Sequence, residues 1–293
     1  MVKEREFQYD YIKGITIFLV IFGHSISHFS LNQDDFWDNP IYKGIYIFHM
    51  PLFIFVSGYF FSYKFDFFDY IQKRIKSLLI PAFSTIPFLF IADVLHRDQI
   101  HIETSIINHF KYDLWFLKCL FICSSIAVLI VTIQKYIRIN INIDVLLFLP
   151  IPILYYFNND YLFYTSDLYF FYMLGILFRK YSLGKSILAY KKIFLGFSII
   201  SYVIIFFCWT QQSYFYLNRN FDFQIILYRY VGGIAGIMIL YIITKYIKES
   251  KVLSNIGSKT LGIYIVQTII FQICGRNNLN HCCPEKIRQN SYY

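Results

Sequence analysis

Apolar residues in this chain come in long runs that are separated by short polar segments. Most of these runs are close to the roughly 20 residues that an α-helix needs to cross about 30 Å of hydrocarbon. The pattern predicts an all-α fold, a polytopic transmembrane helix bundle of about nine spans. The predicted spans lie near residues 12–30, 44–63, 78–95, 114–133, 143–157, 161–178, 193–209, 223–243 and 260–274.

The fifth and sixth runs are separated only by residues 158–160, which predicts a tight helical hairpin. Pro150 and Pro152 count against a regular helix in the first arm of that hairpin. Residues 64–77 mix aromatic and basic side chains, a composition typical of a helix that lies along the inner membrane surface.

The predicted transmembrane domain covers residues 1–274, and the last 19 residues differ from it in composition. Residues 275–293 contain no apolar run and no clear periodicity. We therefore expect a non-membrane tail, either disordered or a truncated end of the domain.

Composition and charge support a membrane protein and predict its orientation. Hydrophobic residues make up 57% of the 293 residues and charged residues only 15%, which is too apolar for one soluble domain. The segments on the N-terminal side of the membrane carry more Lys and Arg than the opposite loops, which predicts a cytoplasmic N-terminus. The net charge of +9 therefore reflects topology and attraction to the lipid bilayer, not nucleic-acid binding. The six cysteines have no regular metal spacing and predict neither disulfides nor a metal site.

The first run carries two polar residues, Lys13 and His24, on one helix face. They are 11 residues apart, which at about 100° per residue brings both to the same face and separates them by about 16 Å. Lys13 can extend to the cytoplasmic surface, whereas His24 lies in the outer half of the membrane. A histidine at that depth is expected to have a function, and the alternative is a hydrogen-bonded packing residue.

Four other ionisable residues are predicted at a depth similar to that of His24. They are His49, Lys118, Asp167 and Arg229, each one or two turns from the outer end of its own helix. Five such residues on five helices predict a shared polar cavity. The alternative for Lys118 and Arg229 is contact with lipid headgroups, which long basic side chains near helix ends can reach.

Five short motifs in series resemble those of the integral-membrane acyltransferase 3 family. They are "YIKGITIFLVIFGH" at 11–24, "FHMPLFIFVSGYFF" at 48–61, "KRIKSLLIPAF" at 73–83, "LWFLKCLF" at 114–121 and "SKTLGIYIVQ" at 258–267. The resemblance covers the chain up to about residue 270, with the motifs in the family's order.

The resemblance implies a bacterial, multi-pass protein of the inner (cytoplasmic) membrane. It would transfer an acyl group, usually acetyl from acetyl-CoA, to a carbohydrate hydroxyl in a capsule, exopolysaccharide, lipopolysaccharide or related glycan. The family's basic residue and essential histidine correspond to Lys13 and His24. This chain has lysine where arginine is usual and Gln267 where histidine often stands, and a tenth helix expected after that motif is missing.

The residues suggest how such a transfer would work. A sugar hydroxyl needs a base, and His24 is the candidate because the pKa of an unperturbed histidine is about 6.5. His49, Lys118 or Arg229 would stabilise the negative charge that develops on the thioester carbonyl. Lys13 would attract the phosphates of acyl-CoA, which is a co-substrate and not a permanently bound cofactor.

Three basic residues, Lys73, Arg74 and Lys76, are expected to assist Lys13 in attracting the phosphates. Trp115 is expected at the membrane interface or against a sugar ring, and it is assigned to the predicted substrate cavity together with Lys118, Asp167 and Arg229.

The sequence context of Ser57 and of a glycine-rich segment predicts helix packing, not catalysis or ligand binding. Ser57 resembles a nucleophile only in its residue type, and small residues such as Ser57 and Gly58 let membrane helices approach closely. The segment "GGIAG" at 232–236 lies mid-span and predicts a packing surface, not a phosphate loop.

Two alternative functions fit a polytopic chain. A transporter or flippase of a glycan or lipid-linked intermediate also needs a polar cavity between helices, but no pair of repeated broken helices is visible. A glycan polymerase is expected to have a large outer loop, and none is predicted.

Overall fold

The computed structural model describes residues 7–30, 35–64, 66–96, 106–107, 109, 115–137, 140–157, 163–214, 222–246 and 250–274. Within these ranges the chain is helical and contains no strand. The predicted tail at 275–293 lies outside the described residues.

Fourteen helices are labelled here in chain order. They are α1 (Phe7–Phe29), α2 (Pro40–Tyr46), α3 (His49–Tyr59), α4 (Phe67–Arg74), α5 (Ile80–His96), α6 (Trp115–Ile137), α7 (Ile143–Phe148), α8 (Pro150–Tyr156), α9 (Phe163–Lys180), α10 (Leu183–Ala189), α11 (Lys191–Cys208), α12 (Phe223–Thr244), α13 (Lys251–Ser258) and α14 (Thr260–Cys274). Two short 3₁₀ turns lie at Asp35–Asp38 and Gln211–Ser213.

Several helix starts follow directly from local sequence. Asn39 accepts hydrogen bonds from the first backbone N–H groups of α2, where Pro40 occupies a position that needs no donor. Asp222 caps α12 and Ser250 caps α13 in the same way.

Six helices in the described part of the chain are long and apolar enough to span a membrane, or seven if a bent pair counts as one span. The six are Gln8–Phe29, Pro40–Tyr59, Phe67–Val94, Trp115–Ile137, Lys191–Cys208 and Phe223–Thr244. The bent pair is α13 with α14, which meet at 73°. The all-helical membrane fold is therefore confirmed, whereas the described helices support fewer spans than the predicted nine.

The difference arises in the middle of the chain. The run predicted at 143–157 forms two short helices, α7 and α8, with Pro150 beginning the second. The run predicted at 161–178 forms α9, which is long enough but carries Asp167, Arg179 and Lys180 and is not among the six candidates.

The surface helix predicted at 64–77 differs in a similar way. Residues 67–74 form α4, which continues through a π-helical segment, Ile75–Leu79, into α5. Together they form a candidate span over Phe67–Val94 instead of a separate surface helix.

Helix α9 lies at the centre of the bundle, which explains its polar residues. Leu168, Tyr169, Phe171, Tyr172 and Met173 are all fully buried. The helix packs on α3 at very short range, because a Cβ on Gly58 would lie 2.0 Å from the Tyr172 carbonyl oxygen. Surrounded by protein, α9 tolerates charge that a lipid-exposed helix would not.

The outer helices present apolar side chains to the surroundings. Helix α11 has large exposed residues along its length, such as Ile193, Phe197 and Phe207, and only 11% of its residues are buried. An apolar outer surface of this kind is what a helix facing lipid tails requires.

Candidate active site

Lys13 and His24 mark the two ends of one face of α1, as their spacing predicts. At the first end, the Lys13 ammonium forms an ion pair of 2.7 Å with the Asp10 carboxylate one turn earlier. It also lies 5.7 Å from the centre of the Phe60 ring. Lys13 is half-buried and is therefore held in a defined position at the edge of the bundle.

A cavity of about 110 Å³ begins beside Lys13 and is lined mainly by apolar side chains. On α1 its wall consists of Lys13, Ile17 and Val20, which recur every three or four residues on one face. His24 is the next residue along that face, one turn beyond Val20. The remaining wall residues are Met50, Phe53, Ser57, Leu78, Phe116, Leu117, Leu120, Thr260, Leu261 and Tyr264.

A close helix crossing holds α1 against the C-terminal helices. A Cβ on Gly14 would lie 2.2 Å from the Leu253 carbonyl oxygen, and a Cβ on Gly257 would lie 1.6 Å from the Asp10 carbonyl oxygen. Both positions require glycine, because any side chain would force α1 and α13 apart. The 73° bend that follows turns α14 along α1, which places Tyr264 on the cavity wall.

At the far end of α1, His24 lies among aromatic rings and one amide. The Gln267 side-chain nitrogen lies 3.4 Å from the Nδ1 atom of His24. The ring centres of His28, Tyr46 and Phe271 lie 6.4, 6.5 and 6.1 Å from that of His24. The structure thus brings residues of α1, α2 and α14 together around His24.

His49 reaches the same end of the bundle, as predicted from its depth. It is 1% exposed, and its ring centre lies 4.5 Å from that of Tyr46, which also contacts His24. The Nδ1 atom of His49 lies 2.9 Å from the Ile45 carbonyl oxygen. A carbonyl only accepts, so Nδ1 carries the proton, and in the neutral ring Nε2 is the acceptor.

Asp167 and Arg229 form an ion pair, and the hydrogen bonds that both side chains make are to other groups of the protein. Arg229 donates to the Asp167 carboxylate at 2.7 Å, and both side chains are almost completely buried. Tyr155 donates to the other oxygen of Asp167 at 2.6 Å. Arg229 also donates to the carbonyls of Ser213 and Tyr214, each at 2.9 Å, and more weakly to Gln212.

These contacts hold the 211–214 segment beside the histidines. The Tyr214 ring centre lies 5.9 Å from that of Tyr46. Burial raises the pKa of the Tyr214 phenol well above its usual value, so the hydroxyl keeps its proton and donates to the Trp37 carbonyl at 2.9 Å. Arg229 therefore acts on the site through Tyr214 and Tyr46 in this structure.

The predicted phosphate-binding residues follow Tyr70, whose ring centre lies 5.8 Å from that of Phe61, the residue after the Phe60 that Lys13 contacts. Lys73 and Lys76 are exposed. Arg74 is half-buried and donates at 2.9 Å to the Tyr70 hydroxyl, which in turn contacts Tyr172. Arg74 is therefore oriented into the bundle, whereas the two lysines remain accessible.

Trp115 and Lys118 lie in the first turn of α6, and both are half-buried. The neighbouring residues Phe116, Leu117 and Leu120 supply the α6 wall of the cavity, so the structure puts Trp115 and Lys118 beside that wall and not on it.

The structure places Ser57 on the cavity wall and the glycine-rich segment at a close helix contact. Ser57 donates its hydroxyl to the Phe53 carbonyl of its own helix at 2.9 Å. A Cβ on Gly233 or Gly236 would lie 2.5 Å from Phe171 or 2.3 Å from Phe48. The segment is a helix-packing surface in mid-span.

Sequence reasoning missed several residues of this region. Tyr46, which contacts both histidines, carries no signal beyond its aromatic type. A buried pair also joins Asp93 to His109 at 2.8 Å, with Gln272 donating to the other Asp93 oxygen at 3.3 Å. The signal available for Asp93 was an acidic residue within a predicted apolar run.

Comparison with known proteins adds independent information. A family profile described as "Acyltransferase domain" matches residues 7–281. Nodulation protein NolL of Sinorhizobium fredii (strain NBRC 101917 / NGR234) is 42% identical over 81 residues, which are 26% of this chain and 22% of that protein. NolL of Mesorhizobium japonicum (strain LMG 29417 / CECT 9101 / MAFF 303099) is 41% identical over 81 residues, with the same coverage.

The matched region thus spans about a fifth of the length of these relatives. No solved structure matches the chain significantly.

Proposed function

The chain belongs to the acyltransferase family whose profile covers residues 7–281, and from this premise we propose that it is a membrane O-acyltransferase acting on carbohydrate. In this proposal an acyl group, usually acetyl, passes from acyl-CoA to a sugar hydroxyl. The observation that carries the proposal is the apolar cavity along α1, which leads from Lys13 to within one turn of His24.

The donor would approach from the Lys13 end, which we place in the cytoplasm, with the protein in a bacterial inner membrane. Lys13 and the accessible Lys73 and Lys76 would attract the CoA phosphates, and Arg74 would support Tyr70 behind them. The pantetheine arm would then lie along Ile17 and Val20. Since Lys13 and His24 are about 16 Å apart along the helix, an extended arm would bring the thioester to His24.

His24 would act as general base at the far end of the cavity. The acceptor hydroxyl oxygen attacks the thioester carbonyl while His24 takes its proton, and the C–S bond then breaks to release the CoA thiolate, which gains a proton. His49 would accept a hydrogen bond from the acceptor through Nε2. Arg229 would hold the 211–214 segment that supports Tyr46.

The acceptor would be a glycan of the cell surface, such as a capsule, an exopolysaccharide or a lipopolysaccharide. The aromatic residues around His24 and His49, Tyr46 above all, support this class, because sugar rings stack on aromatic faces. The acceptor would reach them from the side opposite to the donor.

Two substitutions test the proposal in membrane vesicles supplied with acyl-CoA and an acceptor glycan. His24→Ala should abolish transfer while the protein still inserts, because it removes the base and makes the helix more apolar. Lys13→Ala should raise the KM for the donor, and Lys13→Arg should restore it, since an anion needs the charge. Lys135→Ala, at an exposed lysine of α6, is the matched control.

Mass analysis of the glycan made with and without the protein gives the complementary test. The proposal expects a change of one acyl mass on the modified sugars. Normal acylation by the His24→Ala variant would refute the base assignment. A lost or trapped glycan with no change in acylation would instead indicate transport.

A further inference from the structure

Gln267 makes a hydrogen-bond contact with the imidazole ring of the proposed base. It is 5% exposed, and its amide nitrogen lies 3.4 Å from Nδ1 of His24. Its amide oxygen is buried and has no hydrogen-bond partner among the described residues. A buried polar group in this state is unfavourable, and such groups persist mainly where function requires them.

The contact between Gln267 and His24 can take two forms. If the amide N–H donates to Nδ1, the neutral His24 ring carries its proton on Nε2 and cannot take a proton there. A half-turn of the amide presents the oxygen to Nδ1 instead. Nδ1 then carries the proton and donates it to Gln267, which leaves the lone pair of Nε2 open.

Only the second form is compatible with a base acting through Nε2. In the described part of the chain, the one hydrogen-bond contact of the His24 ring is through Nδ1. Nε2 is therefore the nitrogen that remains for substrate. His49 shows the same arrangement on a neighbouring helix, with Nδ1 bonded to the Ile45 carbonyl oxygen.

We infer that Gln267 is a positioning residue that fixes the tautomer of His24, by accepting a hydrogen bond from Nδ1–H through its amide oxygen. The inference rests on the proposed function, in which His24 is the base. During transfer Nδ1 keeps its proton, and Nε2 receives the proton of the acceptor hydroxyl as the new C–O bond forms; the thioester C–S bond then breaks and releases the CoA thiolate.

The bend between α13 and α14 is what makes this contact possible. Gln267 follows Tyr264, a cavity wall residue, by three positions and so lies near the same face of α14. The same helix brings Phe271 against the rings of His24 and His28. Gln267 thus lies where the donor cavity ends and the histidines begin.

The electrostatic surroundings of His24 determine how a charged replacement would act. Among the residues that the structure describes, the titratable side chains that face it are His28 on its own helix and Tyr46 on α2, with His49 of α3 behind Tyr46. These neighbours supply no carboxylate. The substitution Gln267→Glu would therefore place a negative charge beside Nδ1 and favour the protonated form of His24.

A spectroscopic experiment tests the tautomer without any activity measurement. The full chain, labelled with ¹⁵N-histidine, is reconstituted in lipid nanodiscs, and the His24 signals are assigned by their loss in His24→Ala. We expect a protonated Nδ1 and an unprotonated Nε2 in neutral His24, and a mixture of both tautomers in Gln267→Leu. A wild-type His24 protonated on Nε2 would overturn the inference. Since no substrate is involved, this result is independent of whether the protein is an acyltransferase.

A kinetic experiment tests the consequence for transfer. Gln267→Leu should lower kcat about tenfold, the usual effect of one lost hydrogen bond to a reacting group, with little change in the donor KM. Gln267→Glu should retain activity, while the acidic limb of the pH–rate profile moves to higher pH. Val266→Ala, at the preceding residue, whose side chain is exposed, is the matched control.

An unchanged kcat in Gln267→Leu, or an unshifted acidic limb in Gln267→Glu, would contradict the positioning role. If His24→Ala retains full activity, the assignment of His24 as base in the proposed function fails instead, while the tautomer measured by spectroscopy still stands.

Discussion

Replacing Arg229 by methionine should destabilise the whole bundle, not only alter the site. The arginine donates to the Asp167 carboxylate, to the Ser213 and Tyr214 carbonyls and weakly to Gln212, all in the protein interior. Methionine keeps the apolar stem but removes every one of these bonds. Asp167 would then be a buried charge without its cationic partner. The Tyr155 hydroxyl would still donate to it.

The contacts determine the size of this effect. Removing one partner of a buried ion pair typically destabilises by about 3–5 kcal/mol. At roughly 2–4 °C per kcal/mol, this corresponds to a fall in Tm of roughly 6–20 °C. The double variant Asp167→Leu/Arg229→Met should recover part of the loss, because no buried charge remains. Recovery would be incomplete, since each carbonyl left without its donor costs about 1–3 kcal/mol.

Thermal unfolding of the purified protein in detergent, followed by size-exclusion chromatography, measures these Tm values. Arg229→Lys is the informative control, because it keeps the charge near Asp167 but loses the planar fork that reaches the carbonyls. It should fall between wild type and Arg229→Met. An Arg229→Met variant with the wild-type Tm and a raised acceptor KM would refute this reasoning. It would support the assignment of Arg229 to the substrate cavity.

Two further predictions concern helix contacts and the cavity. Gly257→Ala should prevent stable folding, because the new methyl group would lie 1.6 Å from the Asp10 carbonyl oxygen, whereas Gly262→Ala, with nothing within 4 Å, should express and unfold like wild type. Equal expression and Tm of the two variants would argue against the close helix crossing. Ser57→Ala should keep its activity, because the hydroxyl is bonded to its own helix, while Ser57→Leu should raise the donor KM by filling the cavity. Steady-state kinetics decides this, and loss of transfer in Ser57→Ala would make Ser57 a nucleophile.

The pattern of apolar residues was sufficient for the class of fold and for the face of α1. An apolar run of about 20 residues has few alternatives to a membrane helix, because every backbone group must be hydrogen-bonded within it. The 3.6-residue repeat then places Lys13 and His24 on one side at two depths. These are local properties of the chain, and the structure agrees with them.

The same pattern was less informative about helices that are buried in protein. The run at 161–178 reads as a span, yet α9 is a central helix whose Asp167 is neutralised by Arg229 from α12. The run at 143–157 forms two short helices. Apolarity alone does not distinguish a helix covered by lipid from one covered by other helices, since both exclude water.

Contacts between residues distant in the chain were decided only by the tertiary structure. Gln267 reaches His24 from 243 positions away, because Gly14 and Gly257 allow α1 and α13 to cross closely and a 73° bend then redirects α14. The depth of a residue follows from its position along one helix. Its partner depends on how helices cross and rotate against each other, which is set by the packing of many side chains at once.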